Sequence, residues 1–173
     1  MKFYSGFSLE NESYLFSKYI DGSEYTVCGF SYGAIKAFKE VKNLLANAKR
    51  VDTLKLFSPA FFQTKSPKFK RVQTIGYVKN SELYLREFTK VCFAPYKAKI
   101  LEHKTTTLED LNELLEYIWD LDELETLVKK GVKIEVYLGG EDKIIDVQNA
   151  RKFFLKVATV TYIKDANHFL QTN

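Results

Sequence analysis

Hydrophobic residues along the chain follow two different spacings. Short β-branched and aromatic runs predict strands, and longer segments with apolar residues every three or four positions predict amphipathic helices. The predicted strands are Met1–Tyr4, Tyr25–Phe30, Val51–Phe57, Val132–Leu138 and Thr159–Ile163. The predicted helices are Asn11–Ile20, Ala34–Ala48, Ser81–Phe93, Leu108–Lys129 and Val147–Val157. This alternation favours an α/β fold with a mostly parallel sheet of about five strands and right-handed crossovers.

The segment from residue 60 to residue 130 is too long to be a simple crossover between two strands. We interpret it as one crossover helix together with an inserted helical cap that follows the third strand. Both ends of this segment return to the same sheet, so residues 1–173 are predicted to form one domain that contains the cap. Gly131 is predicted to end the last helix of the segment, because glycine accepts the left-handed conformation that helix ends favour.

The chain has 173 residues, of which 46% are hydrophobic, which is enough for one domain with a core. No apolar run approaches the ~20 residues of a membrane span, and the N-terminus lacks the apolar stretch of a secretory signal. The two cysteines, Cys28 and Cys92, fit reduced thiols, and Cys28 is expected in the core. These features predict a soluble, cytoplasmic protein. No metal-ligand spacing and no glycine-rich phosphate loop occur, so neither a metal nor another cofactor is expected.

Positive charge is concentrated in one part of the chain. Between Phe61 and Lys104 ten basic residues outnumber three acidic ones, which gives this segment a charge of +7 in a chain of +4 overall and leaves −3 for the remainder. Such a segment can bind an acidic partner. The alternative is a solvated helical surface. Nucleic acid is a weaker hypothesis, which only this charge raises.

The sequence Gly29-Phe30-Ser31-Tyr32-Gly33 matches Gly-x-Ser-x-Gly between a predicted strand and a predicted helix. In that setting the motif is a nucleophile elbow, a sharp turn that needs small residues on both sides of the serine. We therefore predict that Ser31 is a nucleophile. The alternative is a glycine-rich turn with an incidental serine.

A serine nucleophile of this kind is followed along the chain by an acid and then by a histidine. His168 lies just after the last predicted strand and is the predicted base, with a hydrogen-bonded loop histidine as the alternative. His103, the other histidine, is expected on the surface or in the cap. Asp142, after the preceding strand, is the predicted acid; Glu141 is its nearest competitor and Asp146 a weaker one.

Two main-chain N–H groups are needed to stabilise the oxyanion of an acyl-transfer reaction. We predict Tyr32 N–H, directly after the nucleophile, and Phe7 N–H, in the loop after the first strand. The same loop has an alternative role, since Ser8 with Glu10 or Asn11 could cap the first helix.

These motifs, in this order, resemble the α/β-hydrolase superfamily across nearly the whole chain. The segments Ser5–Glu12 and Gly29–Ala34 resemble the small pimeloyl-[acyl-carrier protein] methyl ester esterases of biotin synthesis, in particular the Helicobacter type (BioV). The resemblance implies a serine carboxylesterase that hydrolyses the methyl ester of a pimeloyl chain on acyl carrier protein and releases methanol. Two positions differ from the family: Ser5 replaces a histidine and Asn167, which also tolerates a left-handed backbone, replaces a glycine.

The resemblance also implies a reduced fold. In the family's strand numbering, strands 1, 2 and 4 are missing, which leaves the contiguous order 3-5-6-7-8. The chain ends five residues after His168, so the family's final helix is missing too. The sequence does not identify what covers the sheet face on which that helix packs; a second copy of the chain is one candidate, and the oligomeric state stays open.

Acyl carrier protein is acidic, so the resemblance gives the basic segment a role in docking it. The residues predicted for this role are Lys65, Lys68, Lys70, Arg71, Arg86 and Lys90. Two alternatives remain: a generic carboxylesterase or thioesterase for small substrates, and a non-catalytic hydrolase-fold protein that only binds a partner.

Overall fold

The central sheet has five parallel strands, and the computed structural model describes all 173 residues. These strands are β1 (Lys2–Tyr4), β3 (Thr26–Phe30), β4 (Thr53–Phe57), β6 (Lys133–Gly139) and β7 (Thr159–Ile163), and they are separated in sequence by the short strands β2 (Leu9–Glu10) and β5 (Glu102–His103). The sheet order is β1-β3-β4-β6-β7, and every pairing is parallel. The predicted α/β class and contiguous strand order are confirmed.

Six α-helices surround the sheet or form the cap. They are α1 (Tyr32–Ala46), α2 (Pro67–Lys79), α3 (Ser81–Phe93), α4 (Leu108–Glu116), α5 (Leu121–Lys129) and α6 (Val147–Phe154). Helices α1, α5 and α6 contact the strands, whereas α2 packs on α3 and α4. None of the helices combines the length and the hydrophobicity that a membrane span requires.

One face of the sheet is covered near the N-terminus by a 3₁₀ helix, Glu12–Tyr19, where the sequence predicted an α-helix. Phe16 stacks on Phe57 of β4 with ring centroids 4.7 Å apart, and Tyr19 lies 4.8 Å from the Tyr137 ring of β6. This short helix therefore covers part of the sheet face for which the sequence analysis identified no packing element.

Several other positions on that face, on β4, β6 and β7, are polar. Lys55, Glu135 and Thr159 occupy paired positions on β4, β6 and β7, and Thr161 lies beside Tyr137. Thr159 and Thr161 are exposed on the edge strand. Polar side chains at the open end let this face meet water.

The segment predicted as one helix, Leu108–Lys129, forms two, and the continuous helix was a wrong prediction. The break contains the buried Trp119, whose Nε1–H donates to Ala60 O and whose main-chain N–H donates to Gln63 Oε1, both at 2.8 Å. The Asp120 side chain then accepts Glu123 N–H at 3.0 Å and starts a new helix. The anchoring of Trp119 accounts for the interruption.

Gly131 ends α5 as predicted, with a φ of 88°. Its N–H donates to Val128 O at 2.9 Å, and Val132 N–H donates to Leu127 O at 3.1 Å. These two bonds form a Schellman motif, which leads the chain directly into β6.

Candidate active site

Ser31 lies in a sharp turn between β3 and α1, with φ 53° and ψ −115°. Its N–H donates to Phe57 O at 2.9 Å, which holds the turn against β4. A Cβ on Gly33 would lie 2.0 Å from Tyr4 O, and one on Gly29 would lie 2.3 Å from Gly33 O. Both glycines are therefore required by close main-chain contacts, as the elbow predicts.

Ser31, His168 and Asp142 form a continuous hydrogen-bonded chain. Ser31 Oγ lies 3.0 Å from His168 Nε2, and His168 Nδ1 lies 2.6 Å from Asp142 Oδ2. All three residues are buried. The other carboxylate oxygen of Asp142 accepts Ile144 N–H at 2.7 Å. Because a carboxylate only accepts hydrogen bonds, Nδ1 carries the imidazole proton and Nε2 is free to accept from the serine.

The two competing acids lie elsewhere. Glu141 pairs with Lys143 at 3.2 Å. The Asp146 side chain accepts Asn149 N–H at 3.2 Å and caps α6. His103, expected on the surface or in the cap, is exposed in β5, with its Nδ1 3.1 Å from Ser8 O. Of the candidate acids, the structure brings only Asp142 to His168.

The loop that carries His168 is fixed by the Asn167 side chain. Its Oδ1 accepts Phe169 N–H and Gln171 N–H, both at 3.0 Å, and its Nδ2–H donates to Phe93 O at 2.7 Å. Asn167 is not left-handed; the positive φ of this loop falls on Leu170, at 58°. Asn167 therefore fixes the loop through its side-chain amide. The left-handed backbone conformation, which was expected from its replacement of a glycine, is not adopted.

The two predicted oxyanion donors lie on either side of Ser31 in the chain. Phe7 lies outside every helix and strand, and its N–H donates to no acceptor in the protein. Tyr32 is the first residue of α1, so its N–H has no acceptor within the helix. The Phe7 and Tyr32 rings pack edge to face, 6.2 Å apart, which places the two segments side by side.

The alternative role for this loop, capping of the first helix, is wrong. Asn11 makes no side-chain cap hydrogen bond to the 3₁₀ helix, and its amide instead contacts Glu102 at 2.5 Å. Ser8 Oγ donates to Lys104 O at 3.0 Å, across the β2–β5 pair. Both side chains bind the segment of β5 and the residue after it, because the antiparallel β2–β5 pair brings that segment against the loop.

Tyr32 also connects the elbow to the cap. Its hydroxyl contacts Glu113 and Asp110 of α4, the latter at 3.1 Å. Burial and these two carboxylates raise the pKa of Tyr32 above its usual value, so the hydroxyl stays protonated and can donate.

Helices α2, α3 and α4 and the loop after β6 line a half-open cavity of about 320 Å³, and nine of its twelve lining residues are hydrophobic. Phe88 in its wall lies 6.3 Å from the Phe7 ring, centroid to centroid. Ile144, also in the wall, donates its N–H to Asp142. Ser31 and His168 do not line the cavity. It therefore adjoins the site on the cap side, with a volume at the small end of ligand pockets.

The predicted docking residues lie in or next to cap helices α2 and α3. Lys68, Arg71, Arg86 and Lys90 are exposed and Lys65 is half-buried. Lys70 differs from the rest: its Nζ pairs with Glu116 at 2.8 Å and its side chain is only 14% exposed. Arg86 also lines an open polar groove that includes Ser8 and Lys104.

One buried polar residue beside the site had no predicted role. Glu12 is fully buried, and its Oε1 accepts Gly6 N–H at 2.7 Å. A single acidic residue at the start of a short helix is typical of surface helices. The sequence therefore gives no signal that Glu12 is buried rather than exposed to solvent.

No protein-family model matches the chain, and no curated protein matches it in sequence. Solved structures do match. An esterase from Exiguobacterium antarcticum aligns with a TM-score of 0.61 and 15% identity over 83% of this chain and 59% of its own. The carboxylesterase CesB from Bacillus subtilis aligns with a TM-score of 0.58 and 17% identity over 85% of this chain and 54% of its own. The chain thus spans little more than half the length of these esterases.

BioG from Haemophilus influenzae aligns over nearly its whole length. The alignment covers 97% of this chain and 87% of BioG, with a TM-score of 0.56 and 11% identity. At such low identities the similarity concerns the fold. Together with the elbow and the strand order, these matches show that the chain has the α/β-hydrolase fold.

Proposed function

We propose that the protein is a serine hydrolase of carboxylic esters. The observation that carries this proposal is the buried chain of contacts from Ser31 Oγ through His168 to Asp142, at 3.0 Å and 2.6 Å. An elbow serine with a histidine base and an orienting acid is the arrangement that acyl transfer requires. The esterase neighbours support the same reaction class.

The contacts suggest how the reaction proceeds. Ser31 Oγ attacks the ester carbonyl while its proton passes to His168 Nε2, and the carbonyl oxygen becomes an oxyanion facing the Phe7 and Tyr32 N–H groups. His168 then gives the proton to the leaving alkoxide, which departs as an alcohol. A water molecule, deprotonated by His168, attacks the acyl-serine; the bond to Ser31 Oγ breaks, the carboxylic acid leaves, and His168 returns the proton to Ser31 Oγ. Asp142 holds the imidazole in its orientation and stabilises the imidazolium.

A fluorophosphonate probe tests this reaction class, because it phosphonylates an activated serine. We expect mass spectrometry of peptides to find the label on Ser31 of the wild-type protein and no label in Ser31→Ala. Loss of the nucleophile should also lower ester turnover by about 10⁶. Cys28 is not a competing nucleophile, because burial raises the pKa of its thiol to about 12. Labelling that persists in Ser31→Ala would refute the assignment.

We further propose that the substrate is the methyl ester of pimeloyl-[acyl-carrier protein], which the enzyme converts to pimeloyl-[acyl-carrier protein] and methanol. The sequence resemblance of Ser5–Glu12 and Gly29–Ala34 supports this substrate. The BioG match supports it as well, because the alignment covers 97% of this chain and 87% of BioG. No cofactor enters the proposed reaction.

Two features of the cap suit such a substrate. The apolar cavity beside the site offers a place for methylene groups. The exposed basic residues of α2 and α3 offer positive charge to an acidic carrier protein. A small free ester would use the cavity but not the charge.

The experiment that tests the substrate compares carrier proteins loaded with monomethyl esters of dicarboxylic acids of different chain length. We expect loss of the methyl group, measured by mass, to be fastest for the pimeloyl chain and slower for the same ester free in solution. Equal rates for free and carrier-bound esters would favour a generic carboxylesterase. No turnover of any ester by the wild-type protein would favour a hydrolase fold that only binds a partner.

A further inference from the structure

The protein has two buried carboxylic acid side chains. One, Asp142, contacts His168. The other, Glu12, is fully buried at the start of the 3₁₀ helix and forms no ion pair. Burying an acidic group away from cations is costly unless it accepts hydrogen bonds, so a native structure that does so invites an explanation.

Glu12 makes a single hydrogen bond. Its Oε1 accepts Gly6 N–H at 2.7 Å, and its Oε2 has no partner. Asp142, in contrast, uses both oxygens, one with His168 and one with Ile144. Glu12 therefore serves one peptide group, and this group lies one residue before the proposed oxyanion donor Phe7.

Gly6 is held on both sides. Glu12 holds its N–H, and the Phe30 ring packs so closely that a Cβ on Gly6 would lie 2.8 Å from Phe30 Cδ1. The Gly6 C=O, which shares a peptide plane with Phe7 N–H, accepts Leu9 N–H at 3.2 Å. Glu12 holds the preceding peptide plane, so the two hydrogen bonds together limit the rotation about φ and ψ that glycine otherwise allows. Phe7 N–H itself donates to no group in the protein that could fix its direction.

We propose that Glu12 is a positioning residue for the oxyanion hole. Its carboxylate fixes Gly6 through a charge-assisted hydrogen bond, and Gly6 in turn directs Phe7 N–H toward the oxygen that becomes charged in the transition state. This inference rests on the proposed serine hydrolase function. It assigns Glu12 no contact with the substrate.

Three substitutions separate the hydrogen bond from charge and from packing. Glu12→Gln keeps an oxygen that can accept Gly6 N–H but removes the charge. Glu12→Asp keeps the charge but shortens the side chain so that it no longer reaches Gly6. Glu12→Met keeps the approximate volume but removes the acceptor. Tyr14→Phe is the matched control, because it removes a hydrogen bond between the same helix and Ile100 on the exposed side.

We expect Glu12→Asp and Glu12→Met to lower kcat roughly 10- to 100-fold with little change in KM, because a misdirected donor is lost mainly in the transition state. Glu12→Gln should lose about three-fold, since a neutral acceptor binds Gly6 more weakly. Tyr14→Phe should leave kcat unchanged. Rates are measured with a small ester, and thermal unfolding shows which variants are folded.

Affinity for a trifluoromethyl ketone provides a second measurement that a purely structural role would not change. Ser31 adds to the ketone carbonyl, its proton passes to His168, and the ketone oxygen becomes an oxyanion. In Glu12→Asp this affinity should fall in parallel with kcat/KM. An unchanged affinity, or a loss in Glu12→Gln as large as in Glu12→Asp, overturns the proposal. Absence of any ester turnover in the wild-type protein would instead refute the proposed function. The two failures are distinguishable, because the first is a difference between variants and the second concerns the wild type alone.

Discussion

At the residue scale, the elbow depends on glycines whose missing side chains leave room for main-chain atoms. Gly33 has the tightest constraint, since a Cβ would meet Tyr4 O at 2.0 Å. The atoms that a Cβ would meet are main-chain atoms of Tyr4 and Ser5, which cannot yield as a flexible side chain would. Gly33→Ala should therefore destabilise the protein by about 3 kcal/mol and displace Ser31. Urea unfolding checks the stability. Gly76→Ala, in helix α2 beside the Tyr84 ring, should change it by less than about 1 kcal/mol.

The acid can be tested by an exchange that preserves shape. Asp142→Asn replaces the acceptor of His168 Nδ1–H with an amide that can turn the imidazole to the wrong tautomer, so we expect kcat to fall by about 10⁴. Glu141→Gln should have little effect, because Glu141 pairs with Lys143 instead. Steady-state hydrolysis of a small ester measures both. If Glu141→Gln had the larger effect, the assignment of the acid would be wrong.

The sequence could indicate the catalytic candidates because their signals are local. A glycine-flanked serine between a strand and a helix, and acid and histidine positions after two later strands, are fixed by chain order. Glu12 and Asn167 act through contacts that local patterns do not encode. The Asn167 amide reaches Phe93, 74 residues away in sequence, and Glu12 becomes distinctive only when burial is known.

At the scale of elements, Lys55 joins the 3₁₀ helix to the sheet. This buried lysine on β4 donates to Tyr19 O at 2.8 Å and pairs with Asp21 at 3.0 Å and Glu135 at 3.5 Å. Lys55→Met should remove the side-chain donor to Tyr19 O and one cation from Asp21 and Glu135, and so destabilise the protein by roughly 1–3 kcal/mol. Thermal unfolding at neutral pH measures the loss. Lys133→Met, which removes an exposed partner of Glu135, is the control and should cost less.

The same cluster predicts a pH dependence. Burial acts to raise the pKa of Glu135. Hydrogen bonds from Lys133 and Tyr137 and the charge of Lys55 outweigh burial and lower this pKa below its usual value. A carboxyl whose pKa is lower in the folded state stabilises the protein above the unfolded pKa, and this contribution is lost as pH falls through the folded pKa. Unfolding measured from pH 6 down to pH 3 should therefore lose less stability in Glu135→Gln than in the wild type. Parallel curves would contradict this role for Glu135.

Elements with one apolar face were predictable, and the others were not. Strand β7 and helix α3 were predicted at the positions where they occur. Helix α2 was missed because its apolar residues lie on different faces: Tyr77 is buried, whereas Val72, Ile75 and Val78 are exposed. Its start is marked only by the Ser66 cap and by Pro67.

At the scale of the whole molecule, the concentrated positive charge and the proposed catalytic residues lie in different parts of the fold. Ser31, Asp142 and His168 lie in the hydrolase body, at loops after β3, β6 and β7. The segment from Phe61 to Lys104, with its excess charge of +7, carries α2 and α3 of the cap. A charge change in the cap can therefore alter docking without altering the chemistry, which makes the two separable by experiment.

Charge reversal at Lys68 and Arg71 tests whether the cap docks an acidic carrier. Both side chains are exposed, whereas Lys70 between them already pairs with Glu116 and is left unchanged. The double change to Glu should lower kcat/KM for a carrier-bound ester several-fold or more, because such charges govern encounter with the partner. Hydrolysis of p-nitrophenyl acetate should stay the same. The matched control reverses Lys152 and Lys156, which are exposed on the hydrolase body.

The salt dependence of turnover tests the same docking hypothesis independently. Exposed charges are screened over about 8–10 Å near physiological ionic strength, so added salt should slow the wild type on the carrier-bound ester and leave the small ester unaffected. The Lys68→Glu/Arg71→Glu protein should show a weaker salt dependence, since the attraction has already been removed. Equal losses on both substrates would indicate damage to the fold. Loss on neither would mean that the basic segment is a solvated surface, and the generic esterase would then be the better description of the protein.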